Sequence, residues 1–388
     1  MKATFATGAA RAPRREVLGD DDVTDAELAA MVADLWCVRA VTLLDSSAET
    51  VDYDVPSILT GARTWVRGHA DAGLGAREFT LFVKRVHNWR HSPAFAFVPA
   101  DIAEWAAASV PWRAEPLLYA SDLAERLPEG LGVPRGLRVD EHDDETAVVW
   151  IEAVECDPAP WTYDDSVRAA RLLGRLSASP QVAPLADIDP QPWHIDSFVK
   201  GRLAFTVLPG LHDDATWRQP TVAEHFGDLR DGLRAAAGRL DAVAREFDGS
   251  LHRAAHGDAC PNNLLRRTGE SGLTLIDFGF WRSQPVGFDL SQLLVGDIQI
   301  GRQDADDLPE RAEACVRAYA AGLADEGLEV PLEQVRRSHA VSLMLFNGLP
   351  SLPTEVLPDE AAFDHWTRQR AAIARYALDV LARTEPTA

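Results

Sequence analysis

The hydrophobic pattern in the first part of the chain predicts one helix followed by several short strands. Residues 24–44 carry apolar side chains at helical spacing, with acidic residues near the start. The segments 51–58, 64–69 and 78–86 are strand-like and are separated by glycine-containing turns. This order predicts an antiparallel meander.

Two more strands are predicted at 135–141 and 146–154, the second apolar enough to be buried. The next segment, 156–160, contains two prolines, and breakers of this kind mark a crossing between two parts of a chain. We therefore expect an N-terminal lobe over 21–155 and a C-terminal lobe over 156–388. Residues 1–20 combine arginines with small residues, a composition that predicts a disordered tail.

The second lobe has mainly helical patterning. Residues 163–178 place apolar side chains on one stripe, and 222–247 read as one long helix. Three more helices are predicted, at 309–325, 332–349 and 359–383. Between the first two helices, residues 180–220 are rich in proline and tryptophan without periodicity, which indicates an irregular insert.

Composition places the chain among ordinary globular proteins. It has 388 residues, 46% hydrophobic and 25% charged, which suits two lobes or two modest domains. It has no run of about 18 apolar residues that would predict a transmembrane helix. Residues 1–20 also lack the apolar core of a signal peptide. Four scattered cysteines predict reduced thiols in a cytoplasmic protein.

The charged residues narrow the range of partners. A net charge of −22 argues against nucleic acid and against an anionic membrane surface. Of 38 basic residues only three are lysines, namely Lys2, Lys84 and Lys200. A lysine retained against this bias is a candidate for chemistry that arginine cannot replace.

The most informative stretch lies between His256 and Asp277. Asp258 is followed five residues later by Asn263, and the apolar run 273–276 ends at Asp277. Phosphoryl transfer from a nucleotide uses a carboxylate to orient the acceptor hydroxyl and take its proton. It also uses an amide oxygen and a second carboxylate to hold Mg²⁺. This spacing makes Asp258 a candidate catalytic residue, and Asn263 and Asp277 candidate metal ligands.

The ordered set of HGD at 256–258, Asn263, IDFG and GFDL at 287–290 resembles the aminoglycoside phosphotransferase and choline kinase family, whose members phosphorylate small molecules. Protein kinases share the offsets, but Gly257 stands where they have arginine. The resemblance is strong over 250–297 and weaker from residue 58 to the C-terminus. It implies a bilobal α+β fold of the protein kinase type, with a five-stranded sheet and one main helix in the N-lobe. The C-lobe would be mostly helical, and the nucleotide would bind in the cleft.

The same resemblance implies several nucleotide-binding residues. The family's third strand carries a lysine that contacts the α- and β-phosphates, and Lys84 is the matching position. Its partner on the next helix would be Glu115, with Glu104 as the competing choice. Backbone groups near Glu152 and Val154 would read the adenine edge at the hinge between the lobes.

Three further residues or segments have expected roles. The nucleotide-covering loop would lie at 59–64, where backbone N–H groups of Thr60 and Gly61 could approach phosphates, although a plain hairpin turn fits equally well. His256 is expected to pack beneath the catalytic loop. Asp289 is expected to be a buried acid that accepts hydrogen bonds from the backbone of that loop.

These features together predict an ATP- and Mg²⁺-dependent phosphotransferase that acts on a hydroxyl of a small molecule. The acceptor could be an antibiotic, as in aminoglycoside-type resistance, or alternatively a sugar, an amino sugar or a choline-like metabolite. A nucleotide-binding module without turnover is the alternative from another class. A protein kinase is disfavoured because no A-P-E segment follows Asp277.

Overall fold

The computed structural model describes residues 11–51, 57–268, 272–353 and 359–385. The strands within these ranges are β1 Ala12–Pro13, β2 Thr42–Thr50, β3 Thr60–Asp71, β4 Ala76–His87, β5 Leu131–Gly132, β6 Gly136–Glu141, β7 Thr146–Glu152, β8 His252–Ala255, β9 Leu264–Arg266, β10 Leu273–Leu275 and β11 Arg282–Pro285. The α-helices there are α1 Arg14–Leu18, α2 Asp25–Leu35, α3 Ala103–Ala108, α4 Ala114–Tyr119, α5 Leu123–Arg126, α6 Tyr163–Ala178, α7 Ile195–Phe198, α8 Leu208–His212, α9 Asp214–Arg218, α10 Pro220–Phe226, α11 Arg230–Gly238, α12 Leu240–Gly249, α13 Asp289–Gln299, α14 Leu308–Asp325, α15 Leu332–Leu343 and α16 Glu360–Arg383.

The N-lobe is an antiparallel sheet in the order β1-β2-β3-β4-β7-β6. Five of these strands form the expected sheet, and the two-residue strand β1 extends it beside β2. Side chains alternate between the two faces of a strand. One face, with Val66 and Leu81 at its centre, packs against Leu28 and Val32 of α2 in a separate hydrophobic core. The opposite face, which carries Lys84, is turned away from α2.

Two expectations for the start of the chain are wrong, and a third falls mostly outside the described residues. The predicted helix at 24–44 ends at Leu35, and Thr42–Thr50 is strand β2. The meander thus begins earlier than the strand expected at 51–58, of which residues 52–56 lie outside the described ranges. The tail expected at 1–20 is ordered from residue 11 onward, because Arg14 is buried and donates to the Val23 carbonyl. Residues 1–10 lie outside the described ranges.

Helices make up most of the C-lobe, as expected. Helix α6 has the predicted bounds, and α14 and α16 begin within a residue of theirs. The long helix predicted at 222–247 is wrong: the chain forms α10, α11 and α12, which are separated near Gly227 and Gly238. The helix predicted at 332–349 continues from α15 into a π-helical turn at Met344–Gly348. The insert at 180–220 consists of short helical pieces, including a π-helical segment at Val199–Val207.

Two small sheets position the residues that carry candidate chemistry. Strand β10 pairs in parallel with β5 and antiparallel with β9, and Asp277 follows its end. Strand β8 pairs antiparallel with β11 and leads directly into His256. Among the described residues, no helix is long and apolar enough to cross a membrane.

Candidate active site

The loop that follows β8 is fixed by a carboxylate from the start of α13. Asp289 is 1% exposed and accepts hydrogen bonds from the backbone N–H groups of His256 and Gly257, each at 2.9 Å. Burial raises the pKa of Asp289 to about 6, and the two N–H donors partly offset this effect. The expectation that Asp289 is a buried acid supporting this loop is confirmed.

His256 is fully buried and acts as a spacer beneath the loop. Burial lowers its pKa to about 4, so the ring is neutral at pH 7. Its Nε2–H donates to the Ile276 carbonyl at 2.9 Å, which leaves Nδ1 to accept from the Asp258 N–H at 3.3 Å. The ring therefore ties the chain before Asp277 to the chain at Asp258, and its expected packing role is confirmed.

Gly257 is required by the geometry of the same loop. Its φ of +84° lies in the left-handed region, which side chains rarely adopt. A Cβ atom there would lie 1.9 Å from the carbonyl oxygen of Phe280. The glycine that replaces the arginine of protein kinases thus allows the loop to lie directly against the segment after Asp277.

Asp258 and Asn263 are in contact, as their spacing suggests. The Asn263 Nδ2 group donates to the Asp258 carbonyl oxygen at 2.9 Å and to its Oδ2 atom at 3.1 Å. Burial raises the pKa of Asp258 to about 7, and the nearby Asp277 carboxylate adds to this effect. A carboxyl group with a pKa near neutrality is suited to accepting a proton from a hydroxyl.

Lys84, Glu115 and Asp277 form one ion-pair cluster between the lobes. The Lys84 Nζ atom lies 2.5 Å from Glu115 Oε2 and 2.7 Å from Asp277 Oδ1. Burial disfavours the lysine cation, but the two carboxylates outweigh it and raise the pKa of Lys84. Glu115 lies on α4, while the competing Glu104 is exposed and pairs with Arg90. The expected pairing of Lys84 with Glu115 is therefore present.

Asp277 has an uncommon backbone conformation, with a φ of +62°. Burial tends to raise the pKa of its carboxyl, but Lys84 and then Arg63 hold that pKa below its usual range. Phe278, the next residue, packs between the rings of His256 and Tyr119 at centroid distances of 5.3 and 5.6 Å. The aspartate is thus an ionised group in a fixed position.

Arg63 is a charged residue beside this cluster that the sequence analysis did not predict. The Arg63 guanidinium lies 4.0 Å from Asp277 Oδ2, and its side chain is 16% exposed. In the sheet, Arg63 is paired directly with Lys84. A correct strand register would have identified it, but the register could not be read from the sequence.

The loop expected at 59–64 is a strand instead. Thr60 and Gly61 begin β3, where Thr60 is paired with Val86 and a bulge falls at Gly61. Residues 60–64 therefore form neither the covering loop nor the hairpin turn that we expected here. The connection between β2 and β3 includes residues outside the described ranges. A role for the N–H groups of Thr60 and Gly61 in phosphate binding remains a prediction.

At the end of β7 and just after it, fewer backbone groups than expected are free to hydrogen-bond to an adenine. The Glu152 N–H donates to the Arg135 carbonyl, and its side chain accepts from Arg267 at 2.6 Å. The Val154 carbonyl accepts from the thiol of Cys156 at 3.6 Å. Because Glu152 uses its N–H within the protein, donation to an adenine edge would have to come from the residues that follow it.

The residues of the cleft fit a hard divalent cation. Asn263 uses its amide nitrogen toward Asp258, so its oxygen is left as a ligand atom. The ionised Asp277 supplies carboxylate oxygens, and Mg²⁺ prefers oxygen ligands of this kind. The donor set of Asn263 and Asp277 is therefore chemically suited to Mg²⁺ beside a phosphate group.

An antiparallel sheet lobe, a mostly helical lobe and a lysine–glutamate–aspartate cluster between them define a kinase-like phosphotransferase. The chain belongs to the phosphotransferase enzyme family, whose model matches residues 83–328. This match confirms the family that the sequence motifs indicated. A comparison with curated proteins finds no match.

Similar solved structures share little sequence identity with this chain. An aminoglycoside phosphotransferase from Alicyclobacillus acidocaldarius is 17% identical, with 82% of this chain and 89% of that chain covered and a TM-score of 0.51. A spectinomycin phosphotransferase in complex with ADP and spectinomycin is 10% identical over 93% and 100% of the two chains, with a TM-score of 0.48. An ethanolamine kinase from Plasmodium vivax is 12% identical over 86% and 84%, with a TM-score of 0.43. The first of these supports the kinase-like fold.

Proposed function

We propose that this protein transfers the γ-phosphoryl group of ATP to a hydroxyl group of a small molecule. The observation that carries the proposal is the Lys84–Glu115–Asp277 cluster, which joins the two lobes beside the Asp258–Asn263 pair. All five side chains have the chemistry that phosphoryl transfer requires. A binding module without turnover would not need all five of these side chains.

The N-lobe, residues 21–155, would bind the nucleotide. Lys84 would donate hydrogen bonds to the α- and β-phosphates, and Glu115 would hold the lysine side chain in place. Backbone groups after Glu152, including Val154, would contact the adenine. Thr60 and Gly61 are the first two residues of β3. If they contact a phosphate, they would do so through their backbone N–H groups at the start of that strand.

The C-lobe, residues 156–388, would supply the catalytic, metal-binding and acceptor sites. Asp258 would accept a hydrogen bond from the acceptor hydroxyl, align its oxygen for attack and take its proton late in the transfer. Asn263 and Asp277 would hold Mg²⁺, whose charge offsets that of the phosphate oxygens. Asn263 would also keep the Asp258 carboxylate in position through its amide nitrogen.

Two acceptor classes follow from the family. The acceptor would be an antibiotic with a free hydroxyl, in which case the protein confers resistance in the cytoplasm. A sugar, amino sugar or choline-like metabolite is the second class. Both use the same attack of a hydroxyl on the γ-phosphorus, so the acceptor itself must be identified by experiment.

The test is ADP release from ATP and Mg²⁺ with purified protein. Release would be measured alone and with aminoglycosides, macrolides, nucleoside antibiotics, amino sugars and choline. We expect one class to stimulate release, and Asp258→Asn to lower the stimulated rate by about 10²- to 10⁴-fold. ADP affinity should change little in that variant, because Asp258 contacts the acceptor.

Asp248→Asn is the matched control, since this aspartate is exposed on α12. It should keep the wild-type rate. Stimulated release that persists in Asp258→Asn would refute the assignment of Asp258. Tight Mg²⁺-dependent ATP binding without release for any acceptor would favour the binding module.

A further inference from the structure

Arg63 is a second cation beside the predicted phosphate-binding lysine. The two residues are directly paired across β3 and β4, and directly opposed residues have their Cβ atoms about 4.5–5.5 Å apart. Opposed residues also project from the same face of a sheet. The pairing therefore places the Arg63 side chain on the face that carries Lys84.

That face is turned toward the C-lobe. The residues that alternate with Arg63, such as Val66, are buried against α2 on the other side of the sheet. Lys84 reaches Asp277 of the C-lobe at 2.7 Å, and Arg63 reaches the same carboxylate at 4.0 Å. Two cations from neighbouring strands thus converge on one carboxylate of the cleft.

The position of Arg63 along the strand indicates the phosphate end of a bound nucleotide. The next pair on the same face, Trp65 and Phe82, lies one step closer to Glu152, where β7 ends at the hinge. These two rings are in edge-to-face contact at 4.7 Å and provide an apolar surface suited to a base. Arg63 lies beyond them, next to the lysine, where the phosphates would be.

The charge balance of the site supports a role for this second cation. Arg63 and Lys84 face the carboxylates of Glu115 and Asp277, so these four side chains sum to zero net charge. A nucleotide triphosphate adds several negative charges to this site. The segment 51–61, which precedes Arg63, has one glycine, so it offers little of the glycine-rich backbone that commonly binds phosphates.

We propose that Arg63 is a nucleotide-binding residue that donates from its guanidinium to the non-transferred phosphates, beside Lys84. This inference rests on the proposed function, since it concerns the same nucleotide site. Guanidinium presents a planar fork that matches phosphate oxygens, whereas the lysine acts as a point charge. Together they form a clamp built from adjacent strands of one sheet.

Equilibrium binding of a ligand series tests this role without turnover. Titration calorimetry would give dissociation constants for adenosine, AMP and ADP with Mg²⁺, for wild type, Arg63→Gln and Arg63→Lys. We expect Arg63→Gln to weaken ADP binding about 10- to 100-fold. Adenosine binding should change by less than about twofold, because it has no phosphate for Arg63 to contact. Arg63→Lys should recover part of the ADP affinity, and it remains informative if Arg63→Gln does not fold.

Arg85→Gln is the matched control. Arg85 is adjacent to Lys84 in β4 but pairs with Asp21 at 3.0 Å, on the other face of the sheet. It should leave all three dissociation constants unchanged. If Arg63→Gln loses affinity equally for adenosine and ADP, or for neither, the proposed role of Arg63 is overturned while the proposed function stands. No binding of ADP to the wild type would overturn this inference together with the proposed function.

Discussion

Gly257 illustrates how a single residue determines the geometry of the active site. It combines a φ of +84° with a backbone approach that leaves no room for a Cβ atom beside Phe280. Its N–H is held by Asp289, and the following residue is Asp258. A displacement of Gly257 would therefore also move Asp258, the proposed catalytic residue.

We expect Gly257→Ala to reduce phosphoryl transfer by about 10²-fold or more, because small shifts of a positioning loop cost this much. It should also lower the free energy of unfolding by more than about 1 kcal/mol, since alanine is strained at this φ. Transfer rates and urea unfolding are the measurements. Gly249→Ala is the control, because that glycine has open space around its Cα. Normal transfer in Gly257→Ala would show that the loop is less constrained than its contacts indicate.

Buried histidines make stability depend on pH. Burial lowers the pKa of His339 to about 4, as it does for His256. The unfolded chain has the ordinary histidine pKa of about 6.5 and therefore takes up protons first as the pH falls. The stability that His339 contributes is fully present above pH 6.5, and it is lost as the pH falls from there to about 4.

His339→Leu should remove this part of the pH dependence. Between pH 6.5 and 4.5 the free energy of unfolding should fall by about 2 kcal/mol less in the variant than in the wild type. Urea unfolding at several pH values measures the difference. His212→Leu, at an exposed position, should keep the wild-type slope. Equal slopes for all three proteins would show that His339 can be protonated in the folded state.

The site residues differ in how far the sequence could identify them. Asp258, Asn263 and Asp277 are candidates from the sequence because phosphoryl transfer imposes a short spacing within one loop and the strand that follows. Lys84 and Glu115 were identified from the family pattern, and their ion pair is present. Arg63 was missed because its proximity to Lys84 depends on the register between two strands, which no local pattern encodes.

At the level of secondary structure, a helix with a sustained apolar stripe and a capping signal was predicted well, whereas helix ends and interruptions were not. Helix α6 matches its prediction because its apolar stripe is sustained and Thr162 forms a capping box at its start. The predicted helix at 24–44 continued too far, because Leu43 and Leu44 were counted with α2 although they lie in β2. The predicted helix at 222–247 is interrupted near Gly227 and Gly238, where glycine lowers helix propensity.

The ordered segment before residue 20 is attached to the N-lobe through Arg14. This arginine is 7% exposed, and it pairs with Asp22 and with Asp25 while donating to Ser46 of β2 at 3.3 Å. The charge of the Arg14 side chain is therefore satisfied within the fold. The sequence suggested a tail because α1 has only five residues and no apolar stripe of its own.

Removing Arg14 should destabilise the N-lobe. Arg14→Ala leaves a buried carboxylate without its cation, which should lower the free energy of unfolding by about 3–5 kcal/mol. Arg15→Ala is the matched control, because Arg15 is exposed, and it should change stability by less than about 0.5 kcal/mol. Thermal or urea unfolding measures both variants. Equal stability of the two would mean that the segment 11–18 is not docked as described.

For the whole molecule, the central feature is a carboxylate of the helical lobe that pairs with cations of the sheet lobe. Asp277 of the C-lobe contacts Lys84 of the N-lobe, and burial together with nearby charges shifts the pKa values of Lys84, Asp258 and Asp277. The fold class and the family could be predicted from the sequence, since both depend on motifs within short segments. The acceptor could not, because none of these short motifs specifies which hydroxyl compound is bound.

The most direct test of the proposed function follows the phosphoryl group itself. ATP labelled in its γ-phosphate would be incubated with wild type or Asp258→Asn, Mg²⁺ and the acceptor that stimulates ADP release most. With wild type, the label should appear on an acceptor hydroxyl. With Asp258→Asn, the acceptor should carry no label. Label released only as inorganic phosphate, or retained on ATP that binds tightly, would contradict a small-molecule phosphotransferase.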